Sequence, residues 1–150
     1  MRKDRYNLEA SDSFKSYEFT SEGPKGRISK IVKYTETDIE NYYNLGFGNK
    51  LSGTDDFDDT AISNNQDSLR VLSTVAATVY SFTYKYPEAW VYATGSTPSR
   101  TRLYQIGISN NLTEVLEHFT IFGLKDDVWE RYEINQPYTA FLITRKWNIL

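Results

Sequence analysis

Apolar and polar residues alternate with a period of two in three early stretches of the chain, and then the period changes. FKSYEFT (14–20) alternates and predicts a strand. SEGPKG follows with turn chemistry, Pro24 presetting φ and Gly26 permitting φ > 0. RISKIVKYT (27–35) puts Ile28, Lys30, Val32 and Tyr34 on one face and Ser29, Ile31, Lys33 and Thr35 on the other. Neither face is wholly apolar, which predicts a strand near an edge or at a binding surface. ENYYNLGFGN (40–49) is a third strand, in which Gly46 and Gly48 mark a bulge or a close backbone approach. Together these predict an antiparallel meander.

From Asn65 onward, Leu69, Leu72, Val75, Ala76, Val79, Phe82 and Tyr86 recur at spacings of three and four, which predicts a core-facing helix. Asn64 or Asn65 can cap it, Asp67 suits the positive end of its dipole, and Pro87 ends it. AWVYAT (89–94) reads as a short central strand. Thr97 and Pro98 open a second helix as N-cap and first helical residue. Asn111, with Glu114 three residues on, restarts a short helix through Leu116. FTIFGL, VWERYEI and YTAFLITRK close the chain as strands, with turns at KDD and NQP. The order β-β-β-α-β-α-α-β-β-β predicts an α+β fold: a mixed, mainly antiparallel sheet with the helices packed on one face.

Length changes this picture little: 150 residues suit a single domain spanning 1–150, large enough to bury a core. The absence of cysteine removes disulfides, thiolate metal sites and thiol nucleophiles. The charged N-terminus lacks the apolar segment of a secretory signal, and no apolar run approaches a membrane span, so a cytoplasmic protein is expected. A net charge of −3 argues against a bulk electrostatic grip on nucleic acid. The charge is uneven, however: TDDFDD and KDDVWERYE are acidic, while GPKGRISKIVK and SRTR are basic. The 12 tyrosines favour half-buried strand faces and leave the function open.

The junction TGSTPSRTR is the strongest candidate for chemistry. A helix N-terminus offers unpaired amides and partial positive charge, so it attracts phosphate or carboxylate. Gly95 lets the backbone come close, Ser96 and Thr97 add hydroxyls, and Arg100 falls in the first turn, where a cation is unfavourable unless an anion is present. Arg102 lies about 200° round the helix from Arg100 and is free to serve the fold instead. The plainer alternative is a well-capped helix. No nucleotide-binding glycine motif is present, and a nucleotidyltransferase would need a carboxylate pair that RTRLYQIGISNN lacks. Asp55, Asp56, Asp58 and Asp59 can bind a divalent ion, but their spacing favours a solvated acidic loop, so no metal site and no cofactor is expected. His118, the one histidine, sits at a helix C-terminus, where the dipole favours a structural role. Lys25, Arg27, Lys30 and Lys33 gather on the basic hairpin, where charge serves chiefly to guard an edge.

The strings YEFTSEGPKGRISKIVKY, YNLGFGNK, DSLRVLSTVAATV and GSTPSRTRLYQIGI together resemble a bacterial family catalogued only as a domain of unknown function, over residues 6–146. The resemblance implies a small, stand-alone, cytosolic bacterial protein and carries over no activity, substrate or catalytic residue. The family pattern tends to have Asp where this chain has Asn49. Two functions compete. One is a non-catalytic module binding an anionic ligand or a protein partner through Gly95, Ser96, Thr97, Arg100, Arg102, Tyr104 and Lys25. The other is a toxin-like, metal-independent ribonuclease acting on RNA, with Arg100, Arg102 and Lys25 as phosphate cations and Tyr104 or His118 moving protons. The missing catalytic constellation favours binding. The sequence leaves the oligomeric state open.

Overall fold

The computed structural model describes residues 4–58 and 65–149. Its sheet comprises β1 (Glu9–Ala10), β2 (Ser16–Gly23), β3 (Gly26–Glu36), β4 (Tyr42–Lys50), β5 (Phe57–Asp58), β6 (Trp90–Ala93), β7 (Phe119–Lys125), β8 (Val128–Arg131) and β9 (Ala140–Arg145). The helices are α1 (Ser68–Lys85), α2 (Pro98–Asn110) and α3 (Leu112–His118), and a single 3₁₀ turn spans Lys146–Asn148. The strands run in the order β1-β2-β3-β4-β6-β9-β7-β8, with β5 attached to β4. All neighbours are antiparallel except β4 and β6, which α1 connects as a crossover. The expected α+β class and mainly antiparallel sheet are therefore observed, with the predicted meander as β2-β3-β4.

Element boundaries move for local backbone reasons. Phe14, placed in a strand by its alternation, has φ 62° in the turn before β2, and Asn41 has φ 65° just ahead of β4. Both strands therefore start later than the pattern predicts. The ladder from Lys30↔Asn49 to Glu36↔Tyr43 has no interruption, so Gly46 and Gly48 are not a bulge. They are a close approach: a β-carbon on Gly46 would lie 2.6 Å from the Phe57 ring, and one on Gly48 would lie 2.5 Å from the Asp58 carbonyl oxygen.

The core lies between the sheet and α1. Phe82 stacks on Tyr34 at 4.0 Å and meets Tyr43 edge-on at 4.9 Å. Hydroxyls join it: the Tyr34 Oη and Thr78 Oγ1 are 2.7 Å apart. Two sequence expectations about α1 need correction. Leu69 is 47% exposed, because the helix turns Val71, Leu72 and Val75 to the core instead. Asn65 is not the cap, since α1 starts at Ser68 with Asp67 in the N-cap position and no side-chain capping bond; Asn64 lies outside the described residues. Asn65 is buried and ties down the β2–β3 turn, accepting from the Lys25 amide at 2.7 Å and donating to Ser21 Oγ and the Gly26 carbonyl. α2 opens as expected, with Thr97 Oγ1 accepting from the Arg100 amide at 3.2 Å. Asn111 makes no capping bond for α3 and instead donates to the Gly107 carbonyl.

Candidate anion-binding cleft

The residues of the TGSTPSRTR segment are brought close in the chain but turned to two different sides. Gly95 folds back against the helix it precedes: its amide donates to Thr101 Oγ1 at 3.0 Å, and an added β-carbon would stand 2.4 Å from both Arg100 Cβ and Thr101 N. The room that glycine provides is thus filled by the first turn of α2 itself. Ser96, Thr97 and Arg102 face an open cleft of about 730 Å³ shared with Gln105 and residues 135–139. Arg102 is exposed there.

Arg100 goes the other way. It is 6% exposed, its guanidinium donates to the Phe47 carbonyl, and it lies over the Phe47 ring at 4.8 Å. Beside it, Lys30 is also 6% exposed and donates to Asn49 Oδ1 at 2.6 Å. Both line a cleft of about 390 Å³ whose walls are the first turns of α1 and α2, through Asp67, Ser68, Ser99 and Leu103. Burial, reinforced by the positive charge of Arg100, holds the Lys30 ammonium below its ordinary pKa of 10.5, and Asp67 opposes that shift. The Asp67 carboxylate is itself held, its Oδ2 accepting from Tyr6 Oη at 2.6 Å and Ser21 Oγ at 2.5 Å.

The other candidates fall outside this cleft. Lys25 is exposed at the hairpin turn and contributes its amide to Asn65. Tyr104 is buried edge-on to Phe47 at 5.9 Å, facing the core. His118 ends α3 and stands edge-on to Tyr80 at 5.6 Å. In the acidic loop Asp55 and Asp56 are exposed, Asp58 pairs with Asn49 in β5, and Asp59 lies outside the described residues. Sequence reasoning missed Lys30, which it treated as an edge cation. The signal was present: Lys30 shares a strand face with Val32 and Tyr34, the face that turns to the helices. It also missed Asp67 as a half-buried tether for Tyr6 and Ser21, because a carboxylate at a helix start has a sufficient explanation in the dipole.

Among the described residues no helix is long and apolar enough to cross a membrane. Comparison with curated proteins and with solved structures gives no match. A family model does match, over residues 2–146, and it covers the meander, α1, both walls of the cleft and the closing strands. The chain therefore belongs to the family of unknown function DUF6934.

Proposed function

We propose that the protein is a non-catalytic binding module that holds an anionic group, phosphate or carboxylate, where the first turns of α1 and α2 meet. The observation that carries this reading is the burial of two cations, Lys30 and Arg100, side by side in one cleft. Positive charge gathered in one cleft draws an anionic group to it, and a lowered local dielectric strengthens that attraction. The α2 start adds partial positive charge from its backbone amides. In this reading GSTPSR contributes through Ser99 and Arg100, while Gly95, Ser96 and Thr97 fix the turn that aims Arg100. Arg102 serves the neighbouring cleft and Tyr104 the core. A cytoplasmic bacterial protein is part of the same reading. The RNA-cleaving alternative would use the same cations, but Tyr104 and His118, its proton-transfer groups, do not line this cleft. Binding is the better supported function.

Phosphate titration at matched ionic strength, followed by melting temperature and calorimetry, tests the proposal. Wild type is expected to show saturable stabilisation. Lys30→Met and Arg100→Met are each expected to lose it, with circular dichroism checking that each variant is folded. Equal, non-saturable responses in all three proteins would overturn the reading.

The pH dependence has a definite sign. Between the lowered folded pKa of Lys30 and the ordinary value of 10.5, the unfolded chain binds more protons than the folded one. The anion-free protein therefore gains stability from this group as pH rises through that window. Anion affinity moves oppositely, falling as Lys30 loses its proton. In Lys30→Met that component of the affinity profile should be flat.

A further inference from the structure

The cleft that holds Lys30 and Arg100 is larger and more apolar than a bare anion needs. Its volume of about 390 Å³ falls in the range of small-molecule pockets, about 300–1,000 Å³, and a lone phosphate would leave most of it empty. Phe47, Val71, Leu72 and Leu103 give it apolar walls. A strongly hydrated ion gains nothing from such walls, whereas a hydrocarbon side chain is stabilised by covering them. The lining also carries a negative charge. Asp67 stands at the start of α1 with its Oδ2 committed to Tyr6 Oη and Ser21 Oγ, and its Oδ1 accepts no hydrogen bond from any described residue. It is near enough to Lys30 to raise that residue's proton affinity, which Arg100 lowers.

We infer that the cleft takes an apolar α-amino acid. Its carboxylate sits toward Lys30 and Arg100, its ammonium against Asp67 Oδ1, and its side chain along Phe47, Val71, Leu72 and Leu103. The inference rests on the anion-binding reading and narrows the anion to a carboxylate that brings a cation with it. Two positive charges and one negative in one lining suit a zwitterion, because the Asp67 carboxylate repels the second charge of a phosphate dianion. A simple fatty acid would use the cations and the walls but leave Asp67 without a donor. A nucleotide fits less well still. Phe47 is the one ring in the lining among the described residues, and Arg100 lies over it at 4.8 Å, so a base has no open face on which to stack. An amino acid meets all three parts of the lining at once.

Calorimetry and thermal melts at neutral pH and matched ionic strength test this, with L-leucine, L-methionine and L-phenylalanine as probes. Three controls each remove one part of the ligand. Free glycine lacks the apolar side chain, isocaproate is leucine without its ammonium, and leucinamide is leucine without its carboxylate. At least one of the three probes should bind wild type saturably, and each control should bind roughly tenfold or more weakly than that probe, the worth of one buried aliphatic group or one charged hydrogen bond. Asp67→Asn keeps an oxygen for Tyr6 and Ser21, and circular dichroism checks its fold. In that variant leucine should lose its advantage over isocaproate, while stabilisation by inorganic phosphate should grow, since a repelling charge is gone. Phosphate binding with no preference for any of the three probes over glycine and isocaproate overturns the inference and leaves the anion site standing. Failure of phosphate, carboxylates and amino acids alike overturns both.

Discussion

Truncation of Phe82 to alanine is expected to cost about 3–5 kcal/mol, the range for removing a buried phenyl ring and leaving a cavity. The side chain has no exposed surface and belongs to the hydrophobic core cluster between the sheet and the helices. Tyr34 stacks on it with the planes at 7°, Tyr43 meets its edge, and Tyr86 tilts against it at 5.1 Å. The three neighbours come from β3, β4 and the end of α1, so no single local shift refills the space. Deleting the ring therefore loosens the helix from two strands at once. Leu69→Ala, on the same helix, is the control. Its side chain is 47% exposed, and a change of about 0.5 kcal/mol or less is expected. Urea unfolding of the two variants separates these outcomes, and similar midpoints would mean that α1 is rotated from the orientation described.

That pair of residues shows where periodicity carries information and where it stops. Leu69 and Phe82 are indistinguishable in a three- and four-residue repeat, yet only one reaches the core. A repeat fixes the helix and the approximate direction of its apolar face. The rotation is fixed by what the face meets, and α1 buries Ser73, Thr74, Thr78 and Thr83 alongside its aliphatic residues. The three threonine hydroxyls satisfy themselves locally, Thr74, Thr78 and Thr83 donating to carbonyls three or four residues back. A hydrophobicity pattern reads them as polar and so narrows the buried face.

The strand order was legible to the extent that sequence neighbours pair. β2-β3-β4 follows from alternation and a turn. The insertion of β9 between β6 and β7 does not, since no local pattern says that the last strand returns to the middle of the sheet. The cleft was half legible for a similar reason. Thr97, Pro98 and Arg100 announce a helix start by themselves. Lys30 and Asp67 enter the same space only through contacts 37 or more residues away in sequence, Lys30 reaching Asp67 and Arg100. Their meeting is a tertiary fact, and a charged residue on a strand is read first as a surface residue.

Gly95→Ala should destabilise the protein by about 3 kcal/mol, at the upper end of the usual cost of overpacking. The reason is steric, since φ at Gly95 is not in the left-handed region. The new methyl group would meet Arg100 Cβ and Thr101 N at 2.4 Å and Arg100 C at 2.7 Å, and these atoms cannot rotate out of the way as the tip of a long side chain can. The first turn of α2 must move as a unit. Moving it breaks the Gly95 amide bond to Thr101 Oγ1 and pulls the Arg100 guanidinium from the Phe47 carbonyl. Loss of stability and loss of phosphate stabilisation should therefore appear together in this variant. Gly107→Ala gives the opposite sign from the same chemical change. It lies inside α2, its added methyl group would touch Leu72 at an ordinary 3.4 Å, and alanine lowers the entropy of the unfolded chain. A gain of about 0.5–1 kcal/mol is expected there. Thermal melts of the two variants with and without phosphate decide the matter. A Gly95→Ala protein that melts with wild type and still responds to phosphate would show that the turn has slack, and that Arg100 does not depend on it for its place in the cleft.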